Sequence, residues 1–424
     1  MLHKKLALLR RDILLKPDCT RVLLLPFYPS RKETAQKIMN NVLSLSEKEV
    51  DHLVKKFHTD FTRRHKEIES LTLRRYEQVA MALNLVDSVS HQQKILIGSY
   101  FLMEYAFSSA ALFNPSIVPH PDQTGVPPDS LRFILSLRAT GEGHISSIAF
   151  LTGVIDEWNA ITVDKQSPFV MPAERVTTDA LSLSNYEVHF DPKMDFSERV
   201  LFPGSPSQSN GIEDARFVRF VDDDGEVIYY ATFNAYNGTI AVPELIETKD
   251  FNNIKFSSLQ GLAIRNKGMS LFPRKINGKY AMLSRPDDEN IFIMFSDDIH
   301  NWSESSPLLS PAYPWEYMKI GTCGSPIETK YGWLVISHGV GSVRKYSIGA
   351  FLLDLMDPTR VIARMAEPLI TPVERERNGY VPNVVYSCGA IVHHNELILP
   401  YGTSDSATRF ASVNLDELVS FMVR

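Results

Sequence analysis

Residues 210–220 read NGIEDARFVRF and set two adjacent carboxylates, Glu213 and Asp214, beside Arg216. A turn-prone run, PGSPSQSN at 203–210, precedes them, and FVRF then alternates apolar and polar as a strand does. Carboxylates at the mouth of a strand can face a cleft while their neighbours hold the backbone. If the strand has begun, Glu213 and Asp214 point to opposite faces. One is then free for proton transfer, while the other pairs with Arg216 or a backbone N–H. The plainer alternative is a structural Asp–Arg pair, and the motif alone favours it.

Other polar residues interrupt apolar, strand-like contexts further along the chain. They are Asn114–Pro115, Arg138, Arg265–Asn266–Lys267, Arg285, Lys319, His338, Asn383 and Asp405. Singly, each has an ordinary explanation: a turn at Asn114–Pro115, a surface lysine at 319, a hydrogen-bonded core histidine at 338. Taken together with Asp214, they form the donor and acceptor set that a polyhydroxylated ligand such as a sugar requires.

The elements that must position them change character near residue 110. Before it, helical spacing dominates. A short helix is expected at about 32–44. Ser46 with Glu49 forms a capping box ahead of Val50, Leu53, Val54 and Phe57. Residues 66–86 carry Ile68, Leu71, Tyr76, Val79, Ala80 and Leu83 on one face. A last helix, about 90–109, starts at a capping Ser90 with Gln93 three residues on, and runs through Ile95, Leu96, Tyr100, Phe101 and Tyr105. The apolar faces must be buried, either on the side of the following domain or against another subunit, which makes a homo-oligomer one expectation. The basic cluster Lys55, Lys56, Arg63, Arg64, His65 and Lys66 reads as a solvated helix face.

After residue 110, prolines and glycines punctuate short β-branched and aromatic runs. Examples are RFILSLRA (132–139), EVIYYATFNAY (226–236), KYAMLSR (279–285), IFIMFS (291–296), GWLVISHGV (332–340) and ELILPYGTS (396–404). Five segments share a strand followed by a small or acidic turn: IAFLTGVIDEWNAI, ELIETKDFNNIKF, FIMFSDDIHNWSE, GAFLLDLMDPTRVI and FASVNLDEL. They recur every ~50–95 residues, so a unit of about 50 residues used five times nearly fills 110–424. The expected fold is mainly β, a five-bladed β-propeller over 110–424, with a strand and helical extension over 1–109. Ligands of such a fold sit where the inner strands converge.

Bulk properties narrow the function. The 424 residues are 44% hydrophobic and 22% charged, which is ordinary globular usage. A net charge of −6 argues against a general nucleic-acid binder. No apolar run approaches the roughly 18 residues of a membrane span. LALL, near the start, falls short of a secretory core of about 7–15 residues, so a cytoplasmic location is expected. Cysteines at 19, 323 and 388 make no CxxC, no histidine spacing suggests a metal, and no phosphate loop or dinucleotide motif occurs.

With these features in view, the chain over 110–412 resembles glycoside hydrolase family 130, five-bladed propellers acting on β-mannosides. The resemblance rests on LFNPSIV (112–118), LRAT (137–140), GIEDARF (211–217) and RNKGMSLFPRKINGKYAMLSRP (265–286). It continues through SDDIHNW (296–302), WEYMKIGTCGSPI (315–327), GWLVISHGV (332–340), IGAFLLDLMDPTRVI (348–362), GYVPNVVYSCGAI (379–391) and YGTSDS (401–406). It implies that Asp214 is the catalytic acid, protonating the glycosidic oxygen through a mannose hydroxyl. Asn114, Arg138, Arg285 and Asp405 fall where the family contacts mannose. Arg265, Asn266, Lys319, His338 and Tyr346 fall on the side where a nucleophilic anion binds.

Two positions depart from the family's phosphorylases, which carry arginines where this chain has Ser147 and Ser347. Losing two cations weakens a phosphate site. The reading at this level is therefore an inverting β-mannosidase acting by hydrolysis on β-1,2-linked manno-oligosaccharides. The alternative is a phosphorylase releasing mannose 1-phosphate, with inorganic phosphate as co-substrate. A non-catalytic carbohydrate-binding propeller is disfavoured by the joint presence of Asp214 and Asp405. Hydrolysis needs a second carboxylate about 6.5–9.5 Å from the acid to activate water. The candidates are Glu213, Asp287, Asp288, Glu316, Glu374 and Glu376. No cofactor or metal is implied.

Overall fold

The structure is a computed structural model that describes residues 6–84, 88–176 and 185–423. The end of the expected 66–86 helix lies outside the described residues. The fold is mainly β with helices near the start of the chain. Its contacts divide it into two compact units, one of residues 19–107 with 167–171, the other of 1–18, 108–166 and 172–424.

In the smaller unit, four helices follow the expected apolar spacing: α1 (Lys32–Leu43), α2 (Glu47–Phe61), α3 (Ile68–Leu83) and α4 (His91–Ser99). Both capping boxes form, Ser46 with Glu49 and Ser90 with Gln93. The apolar faces bury one another: Ala35, Met39, Val50, Val54, Tyr76, Val79, Ile95 and Ile97 make one core. Two expectations are corrected here. The helix expected at 90–109 stops at Ser99, because Leu102–Tyr105 pairs antiparallel with Leu23–Pro26 and the strand ladder overrides helical continuation. The basic cluster is not uniformly solvated, since Arg64 and buried His65 both bond Glu104, at 2.7 and 2.8 Å.

Most strands of the larger unit fall into five antiparallel runs of four, the first two joined in one twelve-stranded sheet by the parallel pairing of Gly211 with Ser146. The first is Ala111–Pro119, Leu131–Thr140, Ser146–Ile155 and Ile161–Val163. The second is Gly211–Val221, Val227–Tyr236, Ala241–Thr248 and Asn253–Ser258. Ser270–Leu271, Tyr280–Ser284, Ile291–Ser296 and Ser306–Leu309 make the third. Lys319–Thr322, Gly332–Val340, Tyr346–Leu353 and Val361–Arg364 make the fourth. The fifth joins Val385–Tyr386, Glu396–Thr403 and Ala407–Asn414 to Leu9–Leu15, a strand from the far end of the sequence. Each of the five repeat segments supplies the third strand of a run. Apolar clusters pack each run internally or against the next, for example Phe220, Tyr230, Met269, Leu271, Met282 and Trp302 between the second and third.

Candidate active site

A cavity of about 300 Å³ opens in the larger unit, and every run contributes to its wall. The first run gives Asn114 and Arg138, the second Glu213, Asp214 and Arg216, the third Lys267 and Arg285. The fourth gives His338, Arg344 and Tyr346, and the fifth Val384, Tyr386 and Asp405.

Broken strand geometry places the carboxylates. The pairing of Gly211–Val221 with its neighbour slips between Glu213 and Arg216, and Asp214 adopts a left-handed backbone with φ 54°. This bulge cancels the alternation expected of a regular strand. Glu213 and Asp214 therefore do not point to opposite faces; both line the cavity and both meet Arg138, at 2.6 and 3.3 Å. A matching slip between Phe113 and Ser116 puts Asn114 at φ 46°, where its Nδ2 donates to Asp214 Oδ1 at 2.7 Å. Asp405 has φ 48° in the turn between Glu396–Thr403 and Ala407–Asn414. Short polar side chains tolerate this backbone best, because they can bond locally.

Arg138 also donates to Ser146 Oγ at 2.9 Å, and Lys267 reaches Glu213 at 3.3 Å. Arg216 does not pair directly with Asp214. It donates to the Tyr386 hydroxyl at 2.5 Å. Across the cavity, Arg285 donates to His338 Nε2 at 3.2 Å, and His338 stacks on Tyr346 with ring centres 5.8 Å apart. Gly321 makes room for this pair, since a Cβ there would lie 2.5 Å from the His338 ring. Lys319 is outside the wall, held at 2.6 Å by Asp288, which also takes Arg285 at 3.2 Å. Asn266 bonds Asp288 as well, and neither Asn266 nor Arg265 lines the cavity.

The electrostatics separate the groups. Burial alone would raise Asp214, but Arg138, Arg216 and the Asn114 hydrogen bond outweigh it and hold its carboxyl below the usual range. Burial, with the nearby charge of Asp214, pushes Asp405 up to about 6. His338 is driven well below its ordinary value by burial and by Arg285, so it is neutral. Among the proposed water-activating carboxylates only Glu213 lines the cavity. Asp287 is tied to the N–H groups of Glu289 and Asn290, Glu316 to Arg364, Glu376 to Tyr401, and Glu374 faces solvent near Arg377. Lys267 is one of the polar residues the sequence singles out, though without an assigned role, whereas Arg344 is not singled out at all. Arg344 sits in a polar loop, SVRK, that carries no periodic signal.

Comparison with known proteins gives the family of the chain. A family model described as beta-1,4-mannooligosaccharide phosphorylase matches residues 178–424. The chain belongs to glycoside hydrolase family 130. A 1,2-beta-oligomannan phosphorylase of Thermoanaerobacter sp. (strain X514) is 37% identical over 231 residues, spanning 53% of this chain and 75% of that protein. A beta-1,2-mannobiose phosphorylase of Listeria innocua is 36% identical over 229 residues, 52% of this chain and 62% of that one. The solved structure of a beta-1,2-mannobiose phosphorylase from Listeria innocua, as a β-1,2-mannobiose complex, aligns with a TM-score of 0.53 at 27% identity. That match covers 74% of this chain and 92% of the other. As a family 130 member the protein is an enzyme of carbohydrate metabolism, from a group of β-mannoside phosphorylases and glycosidases. No helix of the described residues is long and apolar enough to cross a membrane.

Proposed function

We propose that this enzyme is an inverting phosphorylase of β-1,2-linked manno-oligosaccharides, with its cavity at the centre of a five-bladed propeller. The five four-stranded runs serve as the blades, each sending residues to one cavity. Residues 19–107 form a helical unit set into the first part of the chain.

The observation that carries the choice of phosphate over water is the charge of the wall. Five cations, Arg138, Arg216, Lys267, Arg285 and Arg344, face three carboxylates, Glu213, Asp214 and Asp405, while His338 is neutral. The surplus of two positive charges suits a dianion. Arg216 Nε and Arg285 Nε are also buried with no hydrogen-bond partner among the described residues. The relatives named above are phosphorylases, which turns the reading away from the hydrolysis that Ser147 and Ser347 suggested.

The same field bears on acid catalysis. Asp214 is ionised in the unliganded cavity because Arg138 and Arg216 outweigh burial. A dianion bound on these cations weakens their hold and lets Asp214 carry a proton. Water brings no such charge. In the reaction a phosphate oxygen forms a bond to the anomeric carbon as the glycosidic bond breaks. The leaving oxygen takes its proton from Asp214 by way of a mannose hydroxyl. The product is mannose 1-phosphate with inverted configuration.

A second reading keeps hydrolysis, with Asp405 as base, because its value of about 6 suits that task. Incubation with β-1,2-mannobiose decides between them. Phosphorolysis requires phosphate and yields mannose 1-phosphate. Release of free mannose at the same rate in phosphate-free buffer would establish hydrolysis instead.

A further inference from the structure

The first and fourth runs contain the same hairpin twice, 200 positions apart. In one, Arg138 pairs with Ile148, Ala139 with Ser147 and Thr140 with Ser146. In the other, His338 pairs with Ile348, Gly339 with Ser347 and Val340 with Tyr346. The connecting loops also match. Gly141 N–H donates to Ile145 O at 3.1 Å, and Gly341 N–H to Lys345 O at 3.0 Å. Each loop then places two residues in the left-handed region: Gly143 and His144 at φ 66° and 62°, Val343 and Arg344 at φ 55° and 53°.

The copies differ in what these positions hold. Gly143 adopts its backbone without strain. Val343 is β-branched, a genuine outlier at positive φ, and is 91% exposed, so burial does not offset its strain. Strained loop backbone of this kind clusters at ligand clamps. What the strained turn achieves is to bring Arg344 to the cavity wall.

Arg344 also differs from the other four cations there. Arg138 is engaged by Glu213 and Asp214, Lys267 by Glu213, Arg285 by Asp288 and His338, and Arg216 by Tyr386. Among the described residues Arg344 forms no ion pair. It lies over the Tyr346 ring, 6.0 Å from its centre, at an exposed position. A guanidinium on the wall whose fork of donors is not already spent on a carboxylate is the group best able to take an incoming phosphate in two-pronged fashion.

We propose that Arg344 is the phosphate-capturing residue of this enzyme, held at the cavity by the strained loop 341–345. The proposal rests on the phosphorolysis reading and names the residue through which that reading operates. It also accounts for a working anion site in a chain that has Ser147 and Ser347 at the two equivalent positions following these loops.

The test is calorimetric titration of inorganic phosphate, in the presence of mannose, into the wild type and the R344A and R344K variants. Steady-state rates on β-1,2-mannobiose with phosphate varied accompany it. Loss of a charge-assisted contact weakens phosphate binding by about 10–100-fold in R344A. R344K, which keeps the charge but not the fork, falls between. The KM for mannobiose stays within about twofold, because Arg344 acts on the nearby mannose-side Asp405 only through its charge and forms no ion pair with it. Melting temperatures of both variants should match the wild type, since the side chain is exposed. Equal phosphate affinity in wild type and R344A overturns this proposal and leaves phosphorolysis standing. A raised mannobiose KM with unchanged phosphate affinity also overturns it, and makes Arg344 a sugar contact acting beside Asp405. A wild type that binds no phosphate and releases free mannose overturns both.

Discussion

The helical unit and the cavity wall solve opposite problems. In the helical unit, left-handed non-glycine residues among those described occur only at helix ends, at Glu67 and Asn84. Its core is apolar, and its one buried histidine, His65, has Glu104 as partner. On the cavity wall four of the thirteen lining residues, Asn114, Asp214, Arg344 and Asp405, are left-handed, and three buried or half-buried carboxylates sit among five cations. The first region is locally consistent, with propensity, capping and burial agreeing. The second gives up local consistency to aim polar groups at one point. Substitutions should therefore cost activity in one region and stability in the other.

The largest expected effect is at Asp214. Asp214→Asn keeps the shape and the Asn114 contact but removes the proton. Turnover of a β-mannoside should fall by about 10²–10⁴-fold. The melting temperature should move by only a few degrees, because Glu213 still pairs Arg138. Steady-state kinetics with a melting curve reads both, and near-normal turnover would remove Asp214 from the acid role. The converse case is Met39→Ala in the helical core. Met39 is fully buried, so the substitution should cost about 2–5 kcal/mol of unfolding free energy. The kcat of the folded fraction should be unchanged. A kcat loss as large as the Asp214→Asn loss would show that the two regions are not separable.

The smallest and most diagnostic effect concerns Asp405. Its folded value is about 6, above the ordinary 3.8 of an unfolded aspartate. Between those values the folded state binds the extra proton, so wild-type stability falls as pH rises from about 4 to 6. Asp405→Asn removes that slope. It should be more stable than wild type at pH 7 by roughly 1–3 kcal/mol and no more stable at pH 3.5. Denaturant melts across this range would show it. Parallel pH profiles for the two proteins would mean that Asp405 titrates normally.

The same contrast explains what the sequence disclosed. Strands 291–296 and 332–340 are read to the residue, because unbroken runs rich in β-branched and aromatic residues agree with the turn signals that flank them. Both capping boxes are legible for the same reason. The helix expected at 90–109 overshoots, since its last third pairs with Leu23–Pro26, a partner about 80 residues away that local spacing does not register. Glu213 and Asp214 were assigned to opposite faces by a rule their bulge suspends. Seven site residues read from the sequence, Asn114, Arg138, Asp214, Arg285, His338, Tyr346 and Asp405, share one cavity. Lys319 and Asn266 are instead engaged with Asp288, and Arg265 lies off the wall. Arg344 gave no signal because a loop arginine looks alike whether it faces solvent or a ligand.

The pairing of Leu9–Leu15 with Ala407–Asn414 has a consequence for biosynthesis. Arg11 and Ser412, hydrogen-bonded across this pair, are separated by 401 positions. At ribosomal rates of about 5–20 residues per second, the early strand waits roughly 20–80 s for its partner. During that interval it presents an open edge able to pair with another nascent chain. The fifth run is the last to assemble, and Asp405, in the turn leading into that late strand, reaches the cavity only then. Catalytic competence thus waits on this one long-range pairing, and a chain that stops before residue 400 lacks both the closing strand and the carboxylate.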